Sequence, residues 1–423
     1  MGLGPTLEDD GAARSATSLL RTYPTPAAWE HGLRAWAEPP FYDLRVISPG
    51  VDAPRKGEVR ADIQALRAIA VGAVMLFHLW PNRLTGGYVG VDVFFAISGY
   101  LITSHLLREI DATGRLRPTR FWARRAKRLV PASTTVLLLT AVGVVTWVPK
   151  ALWRQFLTEI IASTIQAQNW LLAHDSVDYL AANNTASPTQ HFWTLSAEEQ
   201  FYVALPLLLL AAIAVARVLR VGHRRVILTG LLLTVASSLG YSMWLTATTP
   251  GVAYFSTFTR AWEFGAGAIL AYAGSSRFRH RALTWFGVAG IVAAFVLYGS
   301  KTSFPGVAAA LPVVGTVVVI WSGRGSTFSR FGSLTPVALL GRVSYAAYLW
   351  HWPLIALLPY VTHRALGTVD KIAIITATLF LAWLSTTFVE DPIRFRPSLL
   401  GPARPCPVAA WAPDGVPGGY GLL

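Results

Sequence analysis

The sequence predicts an all-α fold, a polytopic membrane protein with about ten transmembrane helices. Three observations carry this. Of 423 residues, 53% are hydrophobic and only 14% charged, against about a quarter charged in an average soluble domain. Mean hydropathy is +0.45. The apolar residues gather into long runs separated by short basic patches. Length alone requires no second domain. The formal net charge of +14 comes mainly from arginines. They sit in clusters between hydrophobic segments, which fits membrane orientation and argues against a nucleic-acid surface. The single cysteine, Cys406, excludes a disulfide framework, a CxxC pair and a thiolate metal site, so no metal is expected.

Along the chain, residues 1–58 mix Gly, Pro, Glu, Asp and Arg without sustained periodicity. They predict a disordered cytoplasmic extension, with one short helix around Ala27–Ala37. No signal peptide is expected, because the first apolar run comes far later than a charged n-region allows. A membrane domain is expected over residues 59–397. Its apolar runs predict helices over Leu66–Trp80, Val89–Leu107, Leu129–Val148, Gln200–Leu219 and Val226–Thr246. The series continues with Phe255–Ala273, Ala282–Gly299, Phe304–Ser322, Val343–Tyr360 and Lys371–Val389. Several are shorter than the roughly 20 residues a spanning helix needs, so their predicted ends are loose by a few positions. Residues 398–423 are Pro/Gly-rich and predict a disordered tail.

The connections set the orientation. Arg55, Lys56, Arg60 and Arg67 precede or open the first run, and the segment 108–128 is the most basic of the chain. Arg217, Arg220, Arg224 and Arg225 come next, then Arg277, Arg279 and Arg281, then Arg324, Arg330 and Arg342, then Arg394 and Arg396. Every second connection is arginine-rich. The positive-inside rule then puts both termini in the cytoplasm of a multi-pass cell-membrane protein, which needs an even number of spans. The connection from Lys150 to Glu198 is long, and Leu152–Leu172 has amphipathic spacing. It is expected to lie along the extracytoplasmic interface or to dip toward a site.

Ionisable groups inside apolar helices cost roughly 2.5–3.5 kcal/mol each on insertion scales, so each is a functional candidate. Arg67 and His78 are eleven residues apart, close to three turns, which puts them on one helix face roughly 16 Å apart. The plain alternative is a membrane anchor and an interfacial histidine. Asp92 sits in GVDVFFAISGYLI (90–102) and must face a partner, for which Arg67 or His78 is a candidate; Gly90 and Gly99 let helices approach. In FWARRAKRLVP (121–131), Arg124, Arg125 and Arg128 suit phosphate oxygens, or else anionic lipid. Glu198 and Glu199 enter a helix in WTLSAEEQFY (193–202), where acids also favour a helix N-terminus. Arg260 and Glu263 share a face and can pair. His351 lies deep in SYAAYLWHWPLI (344–355), where a lone histidine is more often structural.

Taken in order, these segments, with RAWEFGAGAIL (260–270) and VEDPIR (389–394), resemble the membrane acyltransferase 3 family of bacterial O-acyltransferases, from residue 60 to about 396. The resemblance implies transfer of an acyl group, usually acetyl, from acyl-CoA to a hydroxyl of a glycan or glycolipid. By motif, Arg67 and His78 match the family's essential pair, and Arg125 with Arg128 its R-x-x-R patch. His78 is then the expected general base, since ester formation removes a hydroxyl proton and histidine titrates near working pH. Arg67 is expected to hold the donor or stabilise an oxyanion. Arg124, Arg125 and Arg128 are expected to bind the coenzyme A phosphates. Glu199 and Glu263 are expected to orient His78 or receive the acceptor, and Asp92, from its place among apolar neighbours, to orient the site. Acyl-CoA is expected as donor substrate with no permanently bound cofactor, and the other partners are the glycan acceptor and membrane lipid, with no nucleic acid. Many relatives continue into an extracytoplasmic esterase-like domain; residues 398–423 carry no Ser/Asp/His set that predicts one. The rival reading is a transporter or flippase for an acylated or anionic lipid, with His78, Asp92 and Glu263 as a proton relay. A third is a catalytically silent scaffold that binds anionic lipid through residues 120–128. No internal repeat supports transport.

Overall fold

The computed structural model describes residues 60–176, 185–274 and 281–395. The predicted extension, the helix near Ala27–Ala37, the tail with Cys406, and Arg277, Arg279 and Arg396 lie outside them. Every regular element among the described residues is a helix. In chain order these are α1 Ala61–Leu79, α2 Gly90–Thr113, α3 Pro118–Trp147, α4 Lys150–Thr164, α5 Gln168–Asp175, α6 Phe192–Val218, α7 His223–Thr248 and α8 Pro250–Phe255. Then come α9 Thr257–Ala273, α10 Arg281–Leu297, α11 Ala310–Ser322, α12 Thr327–Gly332, α13 Thr335–Thr362 and α14 Thr368–Ser385. A single π-type turn, Thr386–Glu390, joins α14 to α15, Asp391–Phe395.

Among the described residues six helices are long and apolar enough to cross a bilayer: Ala61–Leu79, Gly87–Thr113, Pro118–Trp147, Phe192–Val218, His223–Thr248 and Thr368–Arg394. Shorter apolar helices cover Ala282–Leu297 and Ala310–Ser322. This is a multi-pass membrane protein. The burial pattern agrees, because lipid solvates apolar side chains and the polar ones must find partners inside. On α3, Leu138, Leu139, Val142 and Val145 are exposed, while Asp92, Arg260, Glu263 and His351 are buried.

Several boundaries differ from the sequence expectation, each for a local reason. The third helix begins at Pro118, eleven residues before the predicted Leu129. Proline at the first turn is pre-set for helix, and the Arg/Ala/Lys run after it consists of good helix formers. The basic patch is therefore the first turns of α3 and not a loop. WTLSAEEQFY is likewise helical, inside α6. The predicted Phe255–Ala273 helix is interrupted at Ser256, whose backbone is extended (φ −65°, ψ 128°). The eighth helix starts only at Ala310, after Pro305. The amphipathic Leu152–Leu172 stretch is two helices, α4 and α5, hinged at Gln166 in the left-handed region (φ 59°).

Two helix pairs frame the interior of the bundle. Where α2 meets α9, a Cβ at Gly99 would run into the Phe264 carbonyl oxygen, and one at Gly267 into that of Ala96. Backbones this close tolerate only glycine. Helices α1 and α13 run parallel, with Gly341 against Gln64 at one end and His351 against His78 at the other. At the start of α1, Arg60 pairs with Asp62 through Nε and Nη2 (2.8 and 2.5 Å), and Nη2 also donates to the Ile320 carbonyl (2.8 Å), tying α1 to α11.

Candidate active site

Five helices, α1, α2, α3, α6 and α13, enclose a cavity with about 750 Å³ of free space, part of it open to solvent. Its cationic end carries Arg67 from α1 and Arg125 and Arg128 from α3. Arg125 and Arg128 are three residues apart on a helix, so both guanidiniums project from one face. Arg125 lies over the Tyr202 ring, 4.5 Å from its centroid. Glu390, in the π-type turn, is within electrostatic reach of Arg128 and Arg67. Insertions of this kind in helices recur at functional sites.

The walls come from α2, with Phe94, Phe95, Ser98 and Leu101, and from α6, with Thr194, Leu195, Glu198 and Tyr202. Thr194, Glu198 and Tyr202 are spaced by four, so one stripe of α6 lines the cavity from end to end. Glu198 accepts hydrogen bonds from the Ser98 hydroxyl (2.5 Å) and from the Tyr202 hydroxyl, both on Oε1. At the far end the Thr194 and Tyr348 hydroxyls are 2.8 Å apart, and the Tyr348 ring lies 5.2 Å from the His351 ring.

Behind Tyr348 stands a histidine pair. His78 Nδ1 is 3.0 Å from His351 Nε2, and His351 Nδ1 is 2.6 Å from the Tyr348 carbonyl oxygen. A carbonyl only accepts, so His351 carries its proton on Nδ1. With both rings neutral, His351 Nε2 is then a lone pair that accepts from His78 Nδ1–H. That leaves His78 Nε2 as an unprotonated nitrogen, the form a general base requires. His351 is fully buried, whereas His78 is half-buried. The Trp352 ring packs on His78 with centroids 4.6 Å apart, and its indole N–H donates to the Ser187 carbonyl (2.8 Å). The Ser187 hydroxyl donates in turn to Glu159, which also accepts from Gln168 (2.7 Å) and Gln155 (3.1 Å). Burial pushes the Glu159 carboxyl above the ordinary carboxylate range, against the effect of these three donors. The long connection from Lys150 thus reaches the histidine pair through Trp352.

The remaining predicted residues take different places. Arg67 lines the cavity with Arg125 and Arg128, three turns along α1 from His78. Arg124 does not line it; its guanidinium points to His105 (3.1 Å) and Glu109 (3.7 Å) on α2. The acid facing the cavity is Glu198. Glu199, one residue on and about 100° round the helix, is within electrostatic reach of Arg125 and Tyr345. Asp92 does not meet Arg67 or His78. It pairs with Arg260 (2.9 Å), which also holds Glu263 (2.8 Å). The reason is helical phase: Asp92 is seven residues before Gly99, on the face of α2 turned to α9. The Arg260 guanidinium is caged by Phe304, Tyr254 and Trp193, at 4.9, 5.2 and 5.5 Å from their centroids. Asp92 and Glu263, expected near His78 or in a relay with it, thus belong to a separate buried ion cluster. His351, Glu198, Tyr202 and Tyr348 were outside the predicted site. All four lie in the motifs that carry the family resemblance, but nothing in one sequence says which faces converge.

The fold and site together define a class: a multi-pass helical membrane protein whose interior cavity is cationic at one end and ends at the other on Tyr348, behind which a histidine pair stands. Residues 60–388 match the acyltransferase domain family, and the chain belongs to it. It is 31% identical over 347 residues to the peptidoglycan O-acetyltransferase OatA of Listeria monocytogenes, covering 78% of this chain and 55% of that protein. It is also 31% identical over 351 residues to O-acetyltransferase OatA of Staphylococcus aureus, covering 78% and 57%. The chain spans just over half the length of these relatives. No solved structure matches it.

Proposed function

We propose that the chain transfers an acyl group, acetyl in the first instance, from acyl-CoA to a hydroxyl of a cell-envelope glycan or glycolipid. One observation carries this reading: a single cavity leads from three arginines to the residue whose carbonyl holds the His351–His78 pair. Arg67, Arg125 and Arg128 hold the coenzyme A phosphates by charge-assisted hydrogen bonds. The uncharged pantetheine arm lies along Phe94, Phe95 and Leu195 and brings the thioester to His78. The acceptor oxygen attacks the thioester carbonyl carbon as His78 Nε2 takes the hydroxyl proton. The tetrahedral adduct collapses, the C–S bond breaks, and the departing sulfur takes the proton from His78, leaving ester and free coenzyme A. Arg67, roughly 16 Å from His78 along α1, acts on the phosphates and not on the oxyanion. Ten spans with both termini cytoplasmic complete the reading: the six long helices, the two shorter apolar ones, Thr257–Ala273 and Thr335–Thr362. That topology puts the arginines inside and His78 toward the outer face.

The test is transfer of labelled acetyl from acetyl-CoA to soluble peptidoglycan fragments by the reconstituted protein. His78→Ala is expected to lower the rate by about 10²–10⁴-fold, the usual worth of positioned proton transfer. Full transfer by a normally inserted His78→Ala protein overturns the mechanism.

A further inference from the structure

Glu198 has no part in the proposed transfer chemistry, yet it occupies the middle of the cavity. On the α6 stripe it lies one turn from Tyr202, beneath Arg125, and one turn from Thr194, beside Tyr348; the stripe is about 12 Å long. Ser98 faces it from α2. Oε1 of Glu198 takes both O–H donors. A carboxylate at this point works against phosphate binding, so its presence calls for another purpose. A group that runs along the cavity from the arginines toward Tyr348 passes it, and the pantetheine arm, being neutral, passes at no electrostatic cost. An acyl group that ends in its own carboxylate does not.

We propose that Glu198 is a specificity-determining residue that rejects donors with a negatively charged acyl group, such as malonyl or succinyl, and admits uncharged acyl groups. This rests on the reading of acyl-CoA as donor. The device is repulsive: like charges brought together out of water discriminate between donors of similar size without any contact to the favoured one. Ser98 and Tyr202 hold the carboxylate in place, so the penalty cannot be relieved by swinging the side chain aside.

The experiment compares acetyl-CoA with malonyl-CoA on the full chain in nanodiscs, following release of the free coenzyme A thiol. Wild-type protein is expected to favour acetyl-CoA by at least about tenfold in kcat/KM. Glu198→Gln keeps the side-chain size and removes the charge, and is expected to raise the malonyl-to-acetyl ratio at least about tenfold; Glu198→Asp keeps the charge and is expected to retain the preference. An unchanged ratio in Glu198→Gln overturns the proposal. So does equal use of the two donors by wild-type protein, a measurement that needs no variant to fold. Absence of turnover with any acyl-CoA overturns the donor reading itself, and the filter with it.

Discussion

The sharpest prediction concerns His351, which touches neither donor nor acceptor in the proposed reaction. It acts through the 3.0 Å contact to His78 Nδ1, and its own orientation is set by the 2.6 Å bond to the Tyr348 carbonyl. Removing it leaves the His78 N–H without its acceptor, and the proton becomes free to sit on Nε2, where it blocks the base. A neutral hydrogen bond is worth about 0.5–1.5 kcal/mol net, or roughly 2- to 12-fold in the tautomer ratio. Loss of ring orientation adds to this. The ceiling is the complete loss of general-base catalysis, about 10²–10⁴-fold. His351→Ala is therefore expected to lower kcat by at least about fivefold and by less than His78→Ala does, while the KM for acyl-CoA stays unchanged. Two amides separate tautomer control from simple packing. A glutamine at 351 can present an acceptor where Nε2 stood, whereas an asparagine reproduces the Nδ1 side and keeps only the bond to Tyr348. His351→Gln is expected to recover part of the rate and His351→Asn none. Steady-state kinetics on detergent-purified protein, matched by size-exclusion profile, reads the result. Equal rates for the two amides, or an unreduced kcat in His351→Ala, refute the reasoning.

Three further outcomes are expected from other parts of the molecule. Arg125→Ala with Arg128→Ala is expected to raise the KM for acyl-CoA by about tenfold or more, since a hydrogen bond to a charged group is worth about 1.5–3 kcal/mol; an unchanged KM returns these residues to lipid contact and topology. Gly267→Leu forces α9 off α2 at the Ala96 carbonyl and is expected to destabilise by about 1–3 kcal/mol or more, seen as a lower unfolding temperature in detergent. Wild-type stability there sets the baseline. Glu159 binds its proton more tightly in the folded state than in the unfolded chain, because burial raises its carboxyl. Its contribution is therefore fully present below the unfolded-state carboxylate range and is lost as pH rises through the higher folded-state value. Glu159→Gln is expected to flatten that part of the pH–stability curve, and thermal unfolding at stepped pH checks it.

The ion cluster of Asp92, Arg260 and Glu263 clarifies why so many charges are sunk in this bundle without serving the chemistry. Each residue is at most 1% exposed. Breaking such a buried pair costs about 3–5 kcal/mol, because the remaining partner is left charged and dry. The cluster therefore pins α2 to α9 beside the two glycines of that crossing. Since α2 also supplies Ser98, Phe94 and Phe95 to the cavity, the pin fixes one wall of the site. Its residues report on the scaffold, and their variants are expected to fail in assembly before they fail in transfer.

Composition and local pattern were enough to reveal a helical, multi-pass chain with a basic face, because solubility in lipid is decided residue by residue. The Arg67–His78 spacing, the R-x-x-R patch and the Arg260–Glu263 pairing were readable for a similar reason, since each lies within one helix, where 3.6 residues per turn sets the geometry. Contacts between helices were beyond that reach. Asp92 finds Arg260 across 168 positions, and His78 finds His351 across 273. Glu198 and not its neighbour Glu199 lines the cavity, although the two acids are indistinguishable in the string of letters. A helix carries its faces in its own sequence, but which face meets which is settled by packing: by glycines that admit a neighbouring backbone, and by the need of every buried charge for a partner.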